Sequence, residues 1–297
     1  ICVRVDGVNQ GAITGYTFSN VTANHTIVGY FSINVYTITA SVTGSGTVSP
    51  SGSVSVNHGG SQAYAVAPGV GYHIDSVRVD GVNQGAISGY TFSNVTVNHT
   101  IVGYFSINVY TITASVTGSG TLSPSGATSV NHGGSQSYAV APGTGYHIDS
   151  VRVDGVNQGA ITSYSFTGVA ANHTIAAYFS IDVFTVTASA GSGGSISPSG
   201  TSRVSYGGTL AFTITAALGR HVDSVVVDGV NQGAVTAYTF TNVVAGHSIA
   251  AHFSIDIFSI TATAATGGTI TPDGVTSVAF GGSQVYAIEA GAGHHVD

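Results

Sequence analysis

The sequence predicts an all-β protein built as a linear array of tandem modules. Three observations predict it: a long internal repeat, apolar residues that alternate with polar ones, and turn residues at short intervals. The decapeptide VRVDGVNQGA begins at Val3, Val77 and Val151, and it returns with one substitution at Val225. Each step is 74 residues, which is too long for one turn of a solenoid and suits a small domain.

Strands are predicted within each repeat from apolar residues at every second position. In residues 110–117 they alternate with Thr and Ser, as in a strand with one buried face. Residues 118–120 turn the chain into a short strand around Leu122, and Asp80-Gly81 suits a tight hairpin. Residues 99–107 form the last strand. Roughly six strands of 4–8 residues are expected in each repeat.

Module boundaries are predicted near residues 33/34, 107/108, 181/182 and 255/256. Three complete repeats then span residues 34–107, 108–181 and 182–255. Residues 1–33 hold the C-terminal part of a repeat, and residues 256–297 hold the N-terminal part of another. Two interpretations stay open: the chain is an excerpt of a longer repetitive polypeptide, or successive chains complete each other's split repeats head to tail.

The joints between modules contain no flexible linker. The segment from Phe105 to Ile112 has no Gly or Pro, and its apolar positions change from odd to even numbers at Tyr110. We expect one extended segment that leaves one core and enters the next, and therefore a stiff joint. The predicted inter-repeat or inter-subunit interface consists of the apolar residues beside each boundary: Ile33, Val35, Tyr36, Ile107, Val109, Tyr110, Ile181, Val183, Phe184, Ile255, Ile257 and Phe258.

The composition excludes several classes of function. Charged residues are 6% of the 297 residues, Lys is absent, and the formal net charge is −7, so the basic surface that nucleic-acid binding requires is missing. No apolar run approaches the roughly 18 residues of a membrane-spanning helix, and membrane insertion is not expected. Glu occurs only at Glu289, which leaves paired-carboxylate chemistry to Asp alone. Because every candidate group recurs in each repeat, we expect a scaffold with no enzymatic activity and no cofactor.

Histidine, with 12 residues, is the strongest candidate for a metal ligand. His58, His73 and His99 recur in phase, but a zinc site needs three or four ligands that converge. Tyr206 and Phe280 replace His58 in later repeats, which favours turn or packing roles over a metal site. The oxygen-rich loop that begins at Asp80 contains one carboxylate, too few for calcium, and is predicted to be a β-turn.

Three further features are open to interpretation. The Asn-x-Thr pattern matches a glycosylation acceptor but also favours Asx-turns, and it occurs at Asn20, Asn24, Asn94, Asn98 and Asn172. Cys2 has Ser counterparts in the other repeats and is expected to be an unpaired core residue, although it could join another chain. One set of Asp residues is expected to accept backbone hydrogen bonds or to pair with Arg: Asp75, Asp149, Asp223 and Asp297.

Three motifs carry a resemblance that covers essentially the whole chain: TITASVTGSGTVSPSG, NHGGSQAYAVAPGVGYHIDSVRVDGV and YTFSNVTVNHTIVGYF. The sequence resembles the divergent InlB-type B-repeat family of tandem repeats in bacterial surface and secreted proteins. The resemblance implies a small β-rich module outside the cell, used as a spacer or adhesive stalk, without catalytic residues. The expected module is a β-sandwich or β-grasp-like.

The expected function is therefore that of a structural subunit or segment of an extracellular bacterial fibre. Its partner would be itself, either as a head-to-tail homopolymer or as a continuation of the same chain. Two alternatives stay open. The repeats could form the stalk of a cell-surface adhesin, or they could bind surface glycans through exposed side chains such as Tyr64, Tyr72 and Tyr90.

Overall fold

The fold contains strands and no helix, which confirms the all-β prediction. A computed structural model describes residues 1–297, and strands hold 61% of them. No helical segment is therefore available that could cross a membrane. The chain divides into two compact units, which are described separately. The first comprises Ile1–Thr113, Gly126–Ser137 and Ser165–Thr174, and the second comprises Ala114–Ser125, Tyr138–Tyr164 and Ile175–Asp297.

The strands follow the order of the repeats. Residues 1–33 contain β1 (Cys2–Val5), β2 (Val8–Asn9) and β3 (Ile27–Tyr30). The first complete repeat contains β4 (Val35–Thr43), β5 (Gly46–Ser49), β6 (Gly52–Asn57), β7 (Gln62–Pro68), β8 (Tyr72–Val79), β9 (Val82–Asn83), β10 (Gly89–Phe92) and β11 (His99–Ile107). The second contains β12 (Val109–Thr117), β13 (Gly120–Ser123), β14 (Gly126–Asn131), β15 (Gln136–Pro142), β16 (Tyr146–Val153), β17 (Val156–Asn157), β18 (Ser163–Phe166) and β19 (His173–Ile181).

The remaining strands lie in the second unit. The third complete repeat contains β20 (Val183–Ala190), β21 (Gly194–Ser197), β22 (Gly200–Ser205), β23 (Gly208–Ala216), β24 (Arg220–Val227), β25 (Val230–Asn231), β26 (Ala237–Val243) and β27 (His247–Ile255). Residues 256–297 contain β28 (Ile257–Ala262), β29 (Gly268–Thr271), β30 (Gly274–Ala279) and β31 (Ala287–Ala290).

The first repeat forms two sheets. The larger has the strand order β6-β4-β11-β8-β9, and the smaller has the order β10-β7-β5. Neighbouring strands are antiparallel except β4 and β11, which run parallel with His99 opposite Ile38. The first and last strands of the repeat are thus neighbours, so the chain enters and leaves the repeat through the middle of one sheet.

The third repeat has the same arrangement. Its sheets have the orders β22-β20-β27-β24-β25 and β21-β23-β26, and β20 runs parallel to β27. In the part of the second repeat that belongs to the second unit, β16 pairs with β17 and β19, and β13 pairs with β15, all antiparallel. The corresponding strand pairs of the first repeat, β8 with β9 and β11, and β5 with β7, are also antiparallel.

The core of each described sandwich lies between its two sheets. In the first repeat, Ile38 and Ile101 from the larger sheet and Val48 and Val66 from the smaller sheet are all buried in one cluster. Burying a side chain of this kind is worth about 1.5–3 kcal/mol, so such a cluster accounts for the pairing of the sheets. Each described repeat is therefore a small module of two facing sheets, a sandwich-like form of the expected all-β array.

The hairpin between β8 and β9 is closed by two residues in the left-handed region. Asp80 has φ 49° and Gly81 has φ 82°, and Val79 pairs with Val82 across the turn. Two central residues with positive φ define a type I′ turn, whose twist matches that of the flanking strands. The predicted β-turn is therefore present at the expected dipeptide.

The terminal segments, residues 1–33 and 256–297, have open apolar faces. Ile27 is 53% exposed, whereas its counterpart in the first complete repeat, Ile101, is fully buried. In the C-terminal segment, Ile260 is 41% exposed, although it occupies the phase of a core residue of β4. Each segment thus presents a face that is covered in the complete repeats.

Candidate functional site

Each joint between complete repeats is a single residue in an otherwise extended segment. β11 ends at Ile107 and β12 begins at Val109, so only Asn108 lies between them. The N–H of Asn108 donates to the carbonyl of Gly71 in the preceding repeat (2.7 Å). Its own carbonyl accepts from the N–H of His132 in the following repeat (2.8 Å). One residue thus connects a turn of one repeat to the next repeat through backbone hydrogen bonds.

The same two hydrogen bonds recur at the later joints. Asp182 donates its N–H to the Gly145 carbonyl and accepts from the N–H of Tyr206, both at 2.8 Å. The third joint residue, Asp256, makes the corresponding bonds at 2.9 and 2.8 Å to Gly219 and Phe280. Because these two hydrogen bonds use backbone atoms, they do not depend on the side chain of the joint residue.

A glycine with positive φ in each joint receives an aromatic ring from the following repeat. We call this glycine the socket glycine. Gly71 has φ +75°, and a Cβ atom built there would overlap the ring of His132. The later joints have φ +73° at the socket glycine and pair Gly145 with Tyr206 and Gly219 with Phe280. Only glycine satisfies both the backbone conformation and the close approach of the ring.

The ring in the socket also contacts an aromatic side chain of its own repeat. The ring centroids are 6.0 Å apart for Tyr110 and His132 and 6.4 Å apart for Phe184 and Tyr206. The Nδ1 atom of His132 is buried without a hydrogen-bond partner. The position is therefore used for its ring, consistent with Tyr and Phe at the later joints.

The apolar residues predicted to form the interface are only partly buried. Five are half-buried: Tyr36, Ile107, Tyr110, Ile181 and Phe184. Seven are exposed: Ile33, Val35, Val109, Val183, Ile255, Ile257 and Phe258. Contacts across the joints come from the joint residue, the socket glycine and the ring, and also from a histidine of the preceding repeat. That the predicted set forms an interface between subunits stays a prediction.

A histidine two residues after each socket glycine reaches the joint residue. The Nδ1 atom of His73 lies 2.9 Å from Oδ1 of Asn108, and its Nε2 atom lies 3.1 Å from Oδ1 of Asp75. At the second joint, His147 lies between Asp182 and Asp149. The sequence shows these histidines in phase, but no local pattern links them to the joint residues, which lie 35 positions further along the chain.

The carboxylate of Asp75 has side-chain partners. It accepts a hydrogen bond from the Ser106 hydroxyl and faces His73. The guanidinium of Arg78 instead lies 5.3 Å from the ring centroid of Tyr104, which is a cation–π contact. The expectation that Asp75 accepts backbone N–H groups or pairs with Arg is therefore wrong, because β11 presents a hydroxyl where a backbone donor was expected.

A second recurring contact, the Asp–His clasp, ties the hairpin turn to the last strand of the repeat. The Nδ1 atom of His99 lies 2.7 Å from Oδ2 of Asp80, and the N–H of Thr100 donates to Oδ1 of Asp80 at 2.7 Å. The same contacts join Asp6 to His25 and Thr26, and Asp228 to His247 and Ser248. His99 also packs against Phe92, with ring centroids 4.9 Å apart.

The clasp changes the acidity of its carboxylates. Burial by itself raises the pKa of Asp80, but the hydrogen bonds from His99 and Thr100 outweigh it and hold the pKa below its ordinary value of 3.8. The pKa of Asp228 is lowered in the same way, against burial, by Ser248 and His247. The charged form of these side chains is thus the form that the fold stabilises.

The structure gives other roles to the residues considered for metal binding and glycosylation. No group of three or more His, Cys, Asp or Glu side chains is arranged to hold a metal ion. Asn98 and Asn172 accept backbone hydrogen bonds from Thr37 and Thr111. The glycosylation alternative stays a prediction at all five Asn-x-Thr sites: Asn20, Asn24, Asn94, Asn98 and Asn172.

The proposed row of exposed tyrosines is wrong. Tyr64 is 3% exposed and belongs to the core, and Tyr72 and Tyr90 pack against that core. Tyr64 shares a strand face with buried Val66 in β7, so the alternation places it inside. Cys2 is a free, half-buried thiol.

A signal for the missed residues exists in the repeat phase. Positions 71, 145, 219 and 293 are always Gly, and positions 34, 108, 182 and 256 are always Asn or Asp. The ring positions 58, 132, 206 and 280 are always His, Tyr or Phe. An aromatic residue and a glycine that persist in phase predict a close contact, although their distance in the chain conceals it.

Comparison with known proteins gives a family for one repeat. No curated protein matches the chain in sequence. Among solved structures, the chain is similar to the Bacillus anthracis TIE protein at 10% identity and a TM-score of 0.37, covering 77% of this chain and 52% of that one. It thus spans about half of the TIE chain.

Two other structural matches are more distant. The pilus adhesin SpaC from Lactobacillus rhamnosus GG is 9% identical, with a TM-score of 0.18, and 78% of this chain and 44% of that chain are covered. The I9–I11 tandem from titin is 9% identical, with a TM-score of 0.13, and 74% of this chain and 98% of that chain are covered. In sequence, residues 110–182 match the family of divergent InlB B-repeat domains. The match thus covers most of the second repeat, about a quarter of the chain.

Proposed function

We propose that the chain is a structural segment of an extracellular bacterial fibre, in which stiff tandem B-repeats are joined head to tail. The membership of one repeat in the B-repeat family supports a surface-repeat protein. The sparse charge and the recurrence of each polar contact in every repeat support a scaffold over a single ligand site.

The observation that carries the proposal is the recurrence of the joint. The two backbone hydrogen bonds and the ring in the glycine socket are present at all three joints, although the ring is His, Tyr or Phe. A flexible tether between independent domains has no need of such contacts. A fibre that must keep its length needs such contacts, because each joint then holds its two repeats in one orientation.

The partner in this proposal is another repeat of the same kind. The open face around Ile27 lacks the strands that cover Ile101, and the open face around Ile260 lacks the closing strands of a repeat. These are complementary halves of one sandwich. In this proposal, the matching strands of another repeat, in the same chain or in a second copy, cover both faces.

The joint is tested by filling the socket of the second joint. In a Cys2→Ser background, spin labels at Val156→Cys and Val230→Cys, both at exposed positions, report the distance between the second and third repeats. Gly145→Ala places a methyl group against the Tyr206 ring. We expect a narrow distance distribution in the parent chain and a broad or shifted one in the variant.

The matched control is Gly126→Ala. Gly126 has the same φ of +73° as Gly145, but nothing lies within 4 Å of an added Cβ atom. Both variants carry the cost of an alanine with positive φ, about 1–2 kcal/mol, and only Gly145→Ala disturbs the ring. A parent distribution as broad as that of Gly145→Ala, or equal broadening by the control, would contradict a rigid joint.

A further inference from the structure

The larger sheet of the first and third repeats ends in a strand with one unpaired edge. In the first repeat this strand is β6, whose neighbour in the sheet is β4. In the third repeat it is β22, which pairs with β20. β6 has six residues, whereas β9 at the opposite edge of its sheet has two. A strand edge of this length presents a row of N–H and C=O groups with which another strand can pair.

The free backbone groups at this edge belong to particular residues. In an antiparallel pair, hydrogen-bonded positions alternate with positions that are not hydrogen-bonded to each other. The His58 N–H donates to the Asn34 carbonyl at 2.8 Å, one position beyond the register pairs of β4 and β6. The even-numbered residues of β6 therefore bond to β4. The N–H and C=O groups of Ser53 and Ser55 point away from β4, towards the free edge.

β6 lacks the features that usually prevent pairing at an edge. Natural edges are commonly protected by charged side chains, by proline or by a β-bulge. β6 has the sequence GSVSVN, without charge or proline, and its register with β4 runs from Gly52 to Asn57 without a shift. The strand β14 of the second repeat, GATSVN, has the same length and the same alternation of burial. β14 is therefore equally suited to pairing.

A second copy of the chain carries a strand that fits this edge. Directly opposite residues of an antiparallel pair lie on the same face of the sheet. When two β6 strands pair with Ser55 opposite Ser55, the residues with free backbone groups face each other. Val54 of one copy then lies opposite Val56 of the other on the core side, and the serines meet on the solvent side. The edge of β6 is thus complementary to itself.

The third repeat carries a charge at the centre of the same edge. Arg203 occupies the position of Ser55, and its side chain is exposed on β22. In the equivalent register, two Arg203 side chains would lie directly opposite each other, and like charges in that position are destabilising. The first and second repeats have serine there, at Ser55 and Ser129. Edge pairing is therefore favoured in these two repeats and opposed in the third.

We propose that the free edges of β6 and β14 are a docking surface for the same edges of a second copy of the chain. Antiparallel strand pairing joins the two copies, while β22 stays unpaired. The proposal rests on the proposed function in that the joined chains are segments of fibres, which associate side by side. Its partner is distinct from the repeat that continues a fibre, because that repeat covers the apolar faces of the terminal segments and not a sheet edge.

The first test traps the pairing with a disulfide in the full chain. In a Cys2→Ser background, Ser55→Cys with Ser129→Cys places a thiol on each proposed edge. Opposite residues of a hydrogen-bonded antiparallel pair have Cα atoms about 5.5 Å apart, within the range that a disulfide spans. The matched control, Thr39→Cys with Thr113→Cys, places exposed thiols on β4 and β12. Under mild oxidation, we expect covalent dimers from the edge variant and few from the control.

The second test uses the charge that the third repeat already carries. Ser55→Arg with Ser129→Arg should fold, because Arg203 occupies the same position in β22, and it should abolish lateral association. Thr39→Arg with Thr113→Arg makes the same change in net charge away from the edge and should leave association unchanged. Arg203→Ser should increase it. Sedimentation measures the mass of the assemblies, and negative-stain electron microscopy measures their width.

Equal disulfide formation by the edge and control cysteines would overturn the proposal, and so would equal association of the two arginine variants. The spin-label distances across the second joint test the fibre proposal separately. A narrow distance distribution without lateral association would reject the docking surface and leave the rigid joint in place, so the two failures are distinguishable.

Discussion

At the scale of single residues, one core position holds Tyr in one repeat and Phe in another. The core position of Tyr64 in the first repeat is Phe212 in the third, and both side chains are buried. The hydroxyl of Tyr64 is buried without a hydrogen-bond partner, and burial raises the pKa of Tyr64. The ring is needed at this position, and the hydroxyl is a cost.

Tyr64→Phe should therefore stabilise the first repeat by about 1 kcal/mol, because it removes an unpaired buried hydroxyl. The reciprocal change, Phe212→Tyr, should destabilise the third repeat by about 1–3 kcal/mol. Hydrogen exchange of the β7 and β23 amides measures each repeat separately within the full chain. A loss of protection in Tyr64→Phe would show that the hydroxyl has a partner.

Whether a given side chain is buried can be predicted from sequence only where it is known which face of the strand points to the core. The alternation in β7 correctly groups Tyr64 with Val66, and both are buried. An exposed Tyr64 is incompatible with this shared face. Burying the aromatic ring is worth more free energy than burying the hydroxyl costs, so the hydroxyl does not keep Tyr64 at the surface.

At the scale of elements, the Asp–His clasp fixes the edge of the larger sheet. β9 has only two residues, and such a short edge strand gains little from its own ladder. The carboxylate of Asp80 compensates by contacting the side chain of His99 and the backbone of Thr100 in β11. The hairpin is thus anchored to the central strand by charge-assisted hydrogen bonds.

This anchor should weaken in acid. Because the pKa of Asp80 in the fold lies below 3.8, its contribution is complete above that ordinary value and is lost as pH falls through the lowered one. Asp80→Asn, which tolerates the same positive φ, should lower the protection of the β9 amides near neutral pH and remove their local dependence on acid. Hydrogen exchange between pH 6 and 3 measures both effects.

The same acid dependence in the parent chain and in Asp80→Asn would exclude the clasp as its source. His247 and Asp228 provide an internal reference in either protein, since their clasp in the third repeat is unchanged.

Most elements were predictable from alternation and turns. The expected last strand coincides with β11, and the strand expected at residues 110–117 is β12 with one residue added. The Asp-Gly hairpin was predictable because two positive φ values suit those residues. The parallel pairing of β4 with β11 was not, because it joins residues 61 apart, such as Ile38 and His99, and no local pattern encodes that distance.

At the scale of the whole molecule, the 74-residue period predicted the array, while the contacts at the joints required the structure. The socket glycine and its ring are 61 residues apart, as in Gly71 and His132, and each is unremarkable within its own repeat. Alternation could indicate that a single extended segment passes between cores. It could not indicate that Asn108 bonds to both neighbours, because those bonds use backbone atoms that every residue has.

The central claim is that these repeats form an extracellular fibre, and immunogold electron microscopy of the cells that make the protein tests it most directly. The loop from Asp80 to Ala86 is exposed and its sequence occurs four times in the chain. An antibody against it should therefore bind once per repeat. We expect gold particles along filaments outside the cell, at intervals that are multiples of one constant spacing. Label inside the cell, on single tapered stalks, or at irregular intervals along flexible chains would contradict the account.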